Sequence, residues 1–271
     1  MTAGVLESTF ARASQERRKV LVVYFPAGFP TMRESERAFE RIAGWGADIL
    51  EVGVPFSDPI ADGPILQAAS RTALVSGATL AGILALCSRL SCRVCCPLVL
   101  MSYYNPLHRY GCRRLARDAR HCGLSGVVVP DLPPEESEPL RAELAGQGIH
   151  LVRFVTPFSP PARVRRIARG ASGFLYCISS AGVTGPRRGF PKGLSARLRF
   201  IKRVARVPVC VGFGISLPRQ AAFLSGFCDG IITGSRVVEL WQQRRYDEAE
   251  RFVRECRQAL GRAGRTEKKT A

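Results

Sequence analysis

The sequence lacks a long hydrophobic run. Among its 271 residues the longest clean apolar stretch is Val94 to Met101, far below the ~18 residues that a membrane-spanning helix needs. The N-terminal stretch MTAGVLESTFARASQERRK is polar and charged and contains no hydrophobic segment of a signal peptide. These absences predict a cytoplasmic protein with no membrane association.

Acidic residues are scarce, with 22 Asp and Glu against 40 Lys and Arg and a formal net charge of +18. Such a balance can indicate a nucleic-acid partner. Here the basic residues, such as Arg113–Arg114 and Arg165–Arg166, are spread over several predicted helices without interleaved aromatic residues, and only Arg265–Lys269 forms a compact patch. We therefore expect a solvated basic surface and no specific nucleic-acid binding, with a polyanion partner as the alternative.

The ten cysteines lack the context of a disulfide framework, which is typical of much shorter secreted chains. Cys92 and Cys95 form one CxxC, but no second pair follows to complete a zinc site. We expect Cys92, Cys95 and Cys96 to lie within a strand (RVCCPLVLM), and Cys177 and Cys210 within other apolar runs. Buried, reduced thiols are therefore favoured over a metal site.

Short apolar runs alternate with segments of helical periodicity along the chain. Strands buried on both faces, each followed by a helix, indicate a parallel sheet, and eight such units close into a (β/α)8 TIM barrel. An open doubly wound sheet is the alternative, but it needs fewer strands or a second domain. The eight predicted strands are Val20–Phe25, Ile49–Val54, Val94–Met101, Gly126–Val129, His150–Val155, Gly173–Ile178, Val207–Val211 and Gly230–Thr233.

No linker or change of composition divides the chain, so we predict one domain over residues 1–271, with a core at about 20–262 and a basic tail at 263–271. Additional helices are expected before the first strand and between the second and third. Thr31 and Glu34 predict a capping box for one helix, and Pro134 a first-turn position of another. The predicted helices are Val5–Ser14, Met32–Trp45, Ile65–Ser76, Leu80–Leu90 and one from Pro134 with Leu140 and Leu144 on one face.

Three carboxylates lie in or just after the second strand: Glu51 is within it, and Asp58 and Asp62 follow it. Barrel enzymes carry their active sites at this end of their strands. Strand alternation places Glu51 on the same face as Ile49, and burial there would raise its pKa and suit it to proton transfer. The alternative is a structural Glu paired with an arginine such as Arg153.

Glycine-containing turns follow the last two strands. Gly212-Phe-Gly214 follows strand seven, and Gly234-Ser235 opens the last helix with Ser as the expected cap. Backbone amides and a helix N-terminus at these positions predict a phosphate site, with tight connecting turns as the alternative. The polar, Gly-rich segment Ser179–Gly189 predicts a lid that brings Thr184 and the Gly185 amide over the substrate.

The stretch LEVGVPFSDPIADGP resembles the signature of tryptophan synthase α subunits. SYYNP, PDLPPEES, SAGVTG, GFGIS and the GS at Gly234–Ser235 follow in the family's order, so that the resemblance covers Val20 to Trp241. It implies retro-aldol cleavage of indole-3-glycerol phosphate to indole and glyceraldehyde 3-phosphate. By this resemblance Glu51 is the proton-transfer catalyst and Asp62 binds the indole N–H. Tyr176 is similar to the family's active-site tyrosine and Thr184 to its lid residue, and the phosphate contacts match Gly185, Gly214, Gly234 and Ser235.

The resemblance also implies no cofactor in this chain and a partner β subunit that holds pyridoxal phosphate, in an α2β2 heterotetramer. The loops Pro55–Ile60 and Tyr103–Pro106 would form the contact. The chain departs from the family after strand one, where T-A-G-D-P is usual and Pro26–Pro30 reads PAGFP. Two alternatives remain: a catalytically weak α-like subunit that mainly activates β, and another phosphate-binding barrel enzyme.

Overall fold

Eight parallel strands form a closed barrel in chain order, in which β8 pairs with β1. The computed structural model describes residues 4–156, 158–178, 193–212 and 214–261. The barrel confirms the predicted fold class and excludes the open doubly wound sheet. The strands are β1 Val20–Pro26, β2 Ile49–Gly53, β3 Leu98–Met101, β4 Leu124–Val128, β5 His150–Val155, β6 Leu175–Ile178, β7 Val209–Gly212 and β8 Gly230–Thr233.

The described residues form twelve helices, which include the expected one before β1 and the expected two between β2 and β3. They are α1 Val5–Gln15, α2 Met32–Gly44, α3 Pro64–Val75, α4 Leu80–Ser91, α5 Tyr104–Tyr110, α6 Cys112–His121, α7 Glu138–Gly146, α8 Pro161–Arg169, α9 Leu194–Val204, α10 Pro218–Ser225, α11 Ser235–Gln242 and α12 Tyr246–Gly261. No single described helix is long and apolar enough to cross a membrane, although α3 and α4 together, bent by 100°, match such a span in length and composition.

Helix α1 covers the N-terminal end of the barrel. Its Phe10 packs on Phe174, just before β6, with ring centroids 6.0 Å apart. Since α1 occupies this end, the opposite end, where the strands finish, stays open to carry a site.

The start of α2 is capped by one half of the predicted box. Thr31 Oγ1 accepts a hydrogen bond from the Glu34 amide at 3.2 Å. The Glu34 carboxylate instead accepts from Arg37 at 2.8 Å. The Thr31 cap alone therefore fixes where the helix begins.

The predicted start of strand three at Val94 is wrong, because β3 begins at Leu98. The Arg93 and Val94 amides both donate to the Leu90 carbonyl at 2.9 Å and so complete the last turn of α4. Cys92 and Cys95 are consequently exposed and Cys96 is half-buried, whereas Cys177 and Cys210 are buried as expected. The other strand ends differ from the prediction by at most two residues.

The helix predicted from Pro134 begins four residues later, at Glu138. Pro139, not Pro134, occupies its first turn, where a missing N–H costs nothing. Pro134 belongs instead to a turn in which the Glu136 amide donates to the Pro133 carbonyl at 3.0 Å. Leu140 and Leu144 are both buried on the inner face, as predicted.

Candidate active site

The C-terminal end of the barrel contains a cavity with about 730 Å³ of empty space, part of which is open to solvent. Six of the eight predicted site residues line it, although they come from four different parts of the chain: Glu51, Asp62, Tyr176, Gly214, Gly234 and Ser235. The other two, Thr184 and Gly185, lie outside the described residues. Residues that are up to 184 positions apart in sequence thus meet in one site.

Glu51 lies in the middle of β2, between Tyr24 of β1 and Val99 of β3. It is 3% exposed, and its Oε2 has no hydrogen-bond partner among the described residues. Burial, and then the nearby Asp62 carboxylate, raises the pKa of Glu51 to about 8. The side chain is therefore protonated at neutral pH, which makes it an acid that can donate a proton into the cavity.

The alternative of a Glu51–Arg153 ion pair is wrong. Phe154 lines the cavity, so the alternation of strand β5 turns the neighbouring Arg153 away from it. The charges that act on Arg153 are those of Arg141, Glu138 and Glu135, and its Nε has no hydrogen-bond partner among the described residues. Among the described residues, Glu51 thus has no cation to hold it ionised.

Asp62 lies in the loop between β2 and α3 and is 5% exposed. Burial raises the pKa of Asp62 to about 6, against the opposing effect of a hydrogen bond from Tyr103. The Tyr103 hydroxyl also accepts a hydrogen bond from the Ala61 amide at 3.0 Å. Asp62 is therefore ionised at neutral pH while Glu51 is not, and the site contains one carboxylate in each state.

Tyr103 was predicted only as part of the partner contact Tyr103–Pro106 and not as an active-site residue, although it lies in the SYYNP motif two residues after β3. Its position directly past a barrel strand is the signal that marks it. Its ring stacks on Phe56, with centroids 5.3 Å apart and an interplanar angle of 29°. Tyr103 therefore holds the loop after β2 at two points, through the ring of Phe56 and through the Asp62 carboxylate.

The wall beside the two carboxylates is apolar and aromatic. The rings of Phe154 and Tyr176 are stacked, with centroids 4.6 Å apart. A Cβ on Gly212 would lie 2.5 Å from the Tyr176 hydroxyl oxygen, so the absence of a side chain at Gly212 makes room for this ring. Such a wall suits a flat apolar group. The other apolar residues that line the cavity are Ile65, Leu66, Met101, Pro130, Ile215 and Ile232.

Backbone amides face the cavity on the side of β7 and β8. Gly214 has a φ of +83°, a conformation that favours glycine. Gly234 is the N-cap of α11 and Ser235 its first residue, so the expectation that Ser is the cap is wrong by one position. The first amides of α11 have no partner within the helix, which leaves them free for an anion. Arg236 also lines the cavity, but it pairs with Glu239 at 2.7 Å.

The unusual turn after β1 does not line the cavity. Phe29 is 4% exposed, and its ring packs against Phe25 with centroids 6.1 Å apart. The apolar residue thus belongs to the core, and this departure from the family pattern leaves the two carboxylates untouched.

The comparisons with known proteins agree on one family. The model of the family described as tryptophan synthase alpha chain matches residues 10–267. The chain belongs to this family. Its members are lyases that pair with a beta chain, and the matched range spans the positions of all eight predicted site residues. The alternative of another phosphate-binding barrel enzyme is therefore wrong.

Individual relatives extend over nearly the whole chain. The tryptophan synthase alpha chain of Geobacter sulfurreducens is 42% identical over 260 residues, which are 94% of this chain and 98% of the relative. That of Carboxydothermus hydrogenoformans is 41% identical over 231 residues, or 85% and 86% of the two chains. A chain in the structure of Mycobacterium tuberculosis tryptophan synthase superposes with a TM-score of 0.88 at 32% identity and covers 95% of this chain and 98% of that one.

Proposed function

We propose that this chain cleaves indole-3-glycerol phosphate to indole and glyceraldehyde 3-phosphate. The observation that carries the proposal is the pair of buried carboxylates, Glu51 and Asp62, whose pKa values are raised to about 8 and about 6 in one cavity. The cavity joins this pair to an aromatic wall and to free helix amides. An aromatic ring, a cleavable bond and a phosphate can therefore be held at once.

The reaction begins with Glu51 in its protonated form. Glu51 donates its proton to indole C3, and the ring becomes an indolenine cation. The ionised Asp62 accepts a hydrogen bond from the ring N–H and stabilises the positive charge that develops there. A positioned acid of this kind contributes about 10²–10⁴-fold to the rate.

The second step returns the proton to Glu51. The Glu51 carboxylate accepts the proton of the side-chain hydroxyl, and the oxygen forms the aldehyde carbonyl. The electrons of the breaking carbon–carbon bond return to the ring, which leaves as neutral indole. Side chains of this chain supply both proton transfers, so we propose that it holds no cofactor.

The phosphate would be held by the amides at Gly214, Gly234 and Ser235, with the dipole of α11 favouring its negative charge. Thr184 and Gly185 would close over the substrate. We also propose that a pyridoxal-phosphate β subunit receives the indole, in an α2β2 assembly, because freely released indole is small, apolar and easily lost.

The pH profile of kcat/KM is expected to be bell-shaped. Activity should rise through about pH 6 as Asp62 ionises and fall through about pH 8 as Glu51 loses the proton it must donate. Steady-state assays of indole release between pH 5 and 9 measure both limbs. The exposed Asp58 provides a matched control, because Asp58→Asn should keep the same profile. A profile flat over this range would contradict the assignment.

The replacement Gly214→Val is expected to raise KM by about 10- to 100-fold, because the side chain strains a backbone at φ +83° and displaces the amides from the anion. Gly77 provides the control, since it has a φ of +82° in open space outside the cavity. Gly77→Val should cost stability but leave KM unchanged. Crystals of the wild type with sulfate or ligand give the direct check, and an anion bound elsewhere with these amides empty would contradict the prediction.

A further inference from the structure

Tyr24 connects the two chemically different ends of the cavity. It lies in β1 directly opposite Glu51 of β2 and lines the cavity at 7% exposure. No role was predicted for it from the sequence, where it is one aromatic residue within a buried strand.

Two glycines on neighbouring elements make room for the Tyr24 side chain. A Cβ on Gly234 would lie 2.8 Å from the Tyr24 Cβ and Cδ1, and a Cβ on Gly53 would overlap the Tyr24 hydroxyl. The base of the ring thus packs against the start of α11, and the hydroxyl lies over β2. Gly53 is two residues beyond Glu51 and so faces the same side of the strand. The side chain therefore extends from the amide end of the cavity to the carboxylate end.

The Tyr24 hydroxyl is a free donor. No hydrogen bond within the described part of the chain occupies it. Burial, and then the charges of Asp62 and Glu51, raises the pKa of Tyr24 well above its usual value, so that the phenol keeps its proton. A donor that has no partner among the described residues is available to a ligand, and this one belongs to a cavity-lining side chain that extends between the two ends of the cavity.

The proposed substrate places its hydroxyl groups in this same space. Its ring lies at Asp62 and its phosphate at Gly234–Ser235, so the carbons between them, which carry two hydroxyls, must pass beside Tyr24. We propose that the Tyr24 hydroxyl donates a hydrogen bond to the glycerol hydroxyls of the substrate and selects a hydroxylated chain over a plain alkyl chain. This inference rests on the proposed function.

The test compares two ligands with the same ring and phosphate. One is indole-3-glycerol phosphate, and the other is 3-(indol-3-yl)propyl phosphate, which has no hydroxyl groups. Tyr24→Phe keeps the ring between Gly53 and Gly234 and removes only the donor. We expect it to lower kcat/KM for the substrate by about tenfold and to change the inhibition constant of the propyl compound by less than twofold.

A binding measurement makes the test independent of turnover. In a Glu51→Gln background the uncleaved substrate can be titrated calorimetrically, and adding Tyr24→Phe should weaken its binding about fivefold to tenfold without weakening that of the propyl compound. The control is Tyr110→Phe, which removes a surface hydroxyl bonded to Asp118 at 2.7 Å and should change neither ligand.

If Tyr24→Phe weakened the binding of both ligands equally, Tyr24 would only pack against the ligand. If it changed the binding of neither ligand, the Tyr24 hydroxyl would play no part in binding. Both results overturn the inference. If the wild type cleaves the substrate but Tyr24→Phe behaves like wild type, only this inference fails. If the substrate binds with the expected dependence on Tyr24 but is never cleaved, the proposed reaction fails and the contact stands.

Discussion

The replacement Glu51→Gln is expected to lower kcat for indole release by at least about 100-fold, with little change in substrate affinity. Gln keeps the size of the side chain but cannot donate a proton to C3 or accept one from the hydroxyl. Asp62→Asn should have nearly the same effect, because a neutral amide does not stabilise the cationic ring. Single-turnover assays together with calorimetric titration of the substrate separate the loss of chemistry from a loss of binding.

The Glu51→Gln variant must be shown to fold, and stability against pH provides that control. Folding raises the pKa of Glu51 from 4.5 to about 8. The wild type therefore loses stability as the pH rises from about 4.5 to about 8. Gln does not titrate, so the variant does not lose stability over this pH range. The melting temperature of the variant should therefore exceed that of the wild type at pH 8, and the two melting temperatures should become equal near pH 5. A variant that is folded and still keeps more than a tenth of wild-type turnover would contradict the assignment of Glu51.

The barrel and the acid pair could be predicted because each leaves a local signal. Strands buried on both faces give continuous apolar runs, and Glu51 is an acid inside such a run. The prediction of the start of β3 was wrong for the converse reason, since residues 94–97 are apolar but the amides of Arg93 and Val94 complete the last turn of α4. Apolar character reports burial and not the hydrogen bonds that define a strand.

Tyr24 and Tyr103 could not be assigned from the sequence because their surroundings come from other elements. Tyr24 depends on the space above Gly53 and Gly234, and Tyr103 on the loop that carries Ala61 and Asp62. No local pattern records these neighbours. The Pro134 error is of another kind, since both Pro134 and Pro139 could occupy the first turn of a helix and the sequence alone does not say that Pro139 does.

We expect a β subunit to act on Asp62 through contacts of the loop after β2. Ile60 is 76% exposed at the mouth of the barrel. In the same loop Phe56 stacks on Tyr103, whose hydroxyl bonds both the Ala61 amide and the Asp62 carboxylate. A protein that covers Ile60 and orders this loop would therefore also fix the position of Asp62.

The turn after β1 lies on the same side of the molecule. The Ser76 hydroxyl donates to the Pro30 carbonyl at 2.8 Å, which joins this turn to the end of α3, where Val75 is 85% exposed. Val75 and Ile60 are the two most exposed large apolar side chains among the described residues, and we expect the partner to cover them. We therefore expect the unusual Pro26–Pro30 sequence to affect the partner contact and to leave the cavity intact.

Addition of the β subunit from the same organism is expected to raise the rate of indole-3-glycerol phosphate cleavage by about 5- to 150-fold, the usual range of coupling between two sites. Ile60→Lys should abolish co-elution with β on a sizing column and most of this gain, while leaving the rate of the isolated chain unchanged. Val5→Lys is the matched control, because Val5 is 59% exposed but lies on α1 at the opposite end of the barrel.

If Ile60→Lys bound and responded like wild type, docking would not act through the loop that holds Asp62. If the wild-type chain itself neither bound β nor gained activity, it could still be a lyase, but the proposed transfer of indole to β would be wrong.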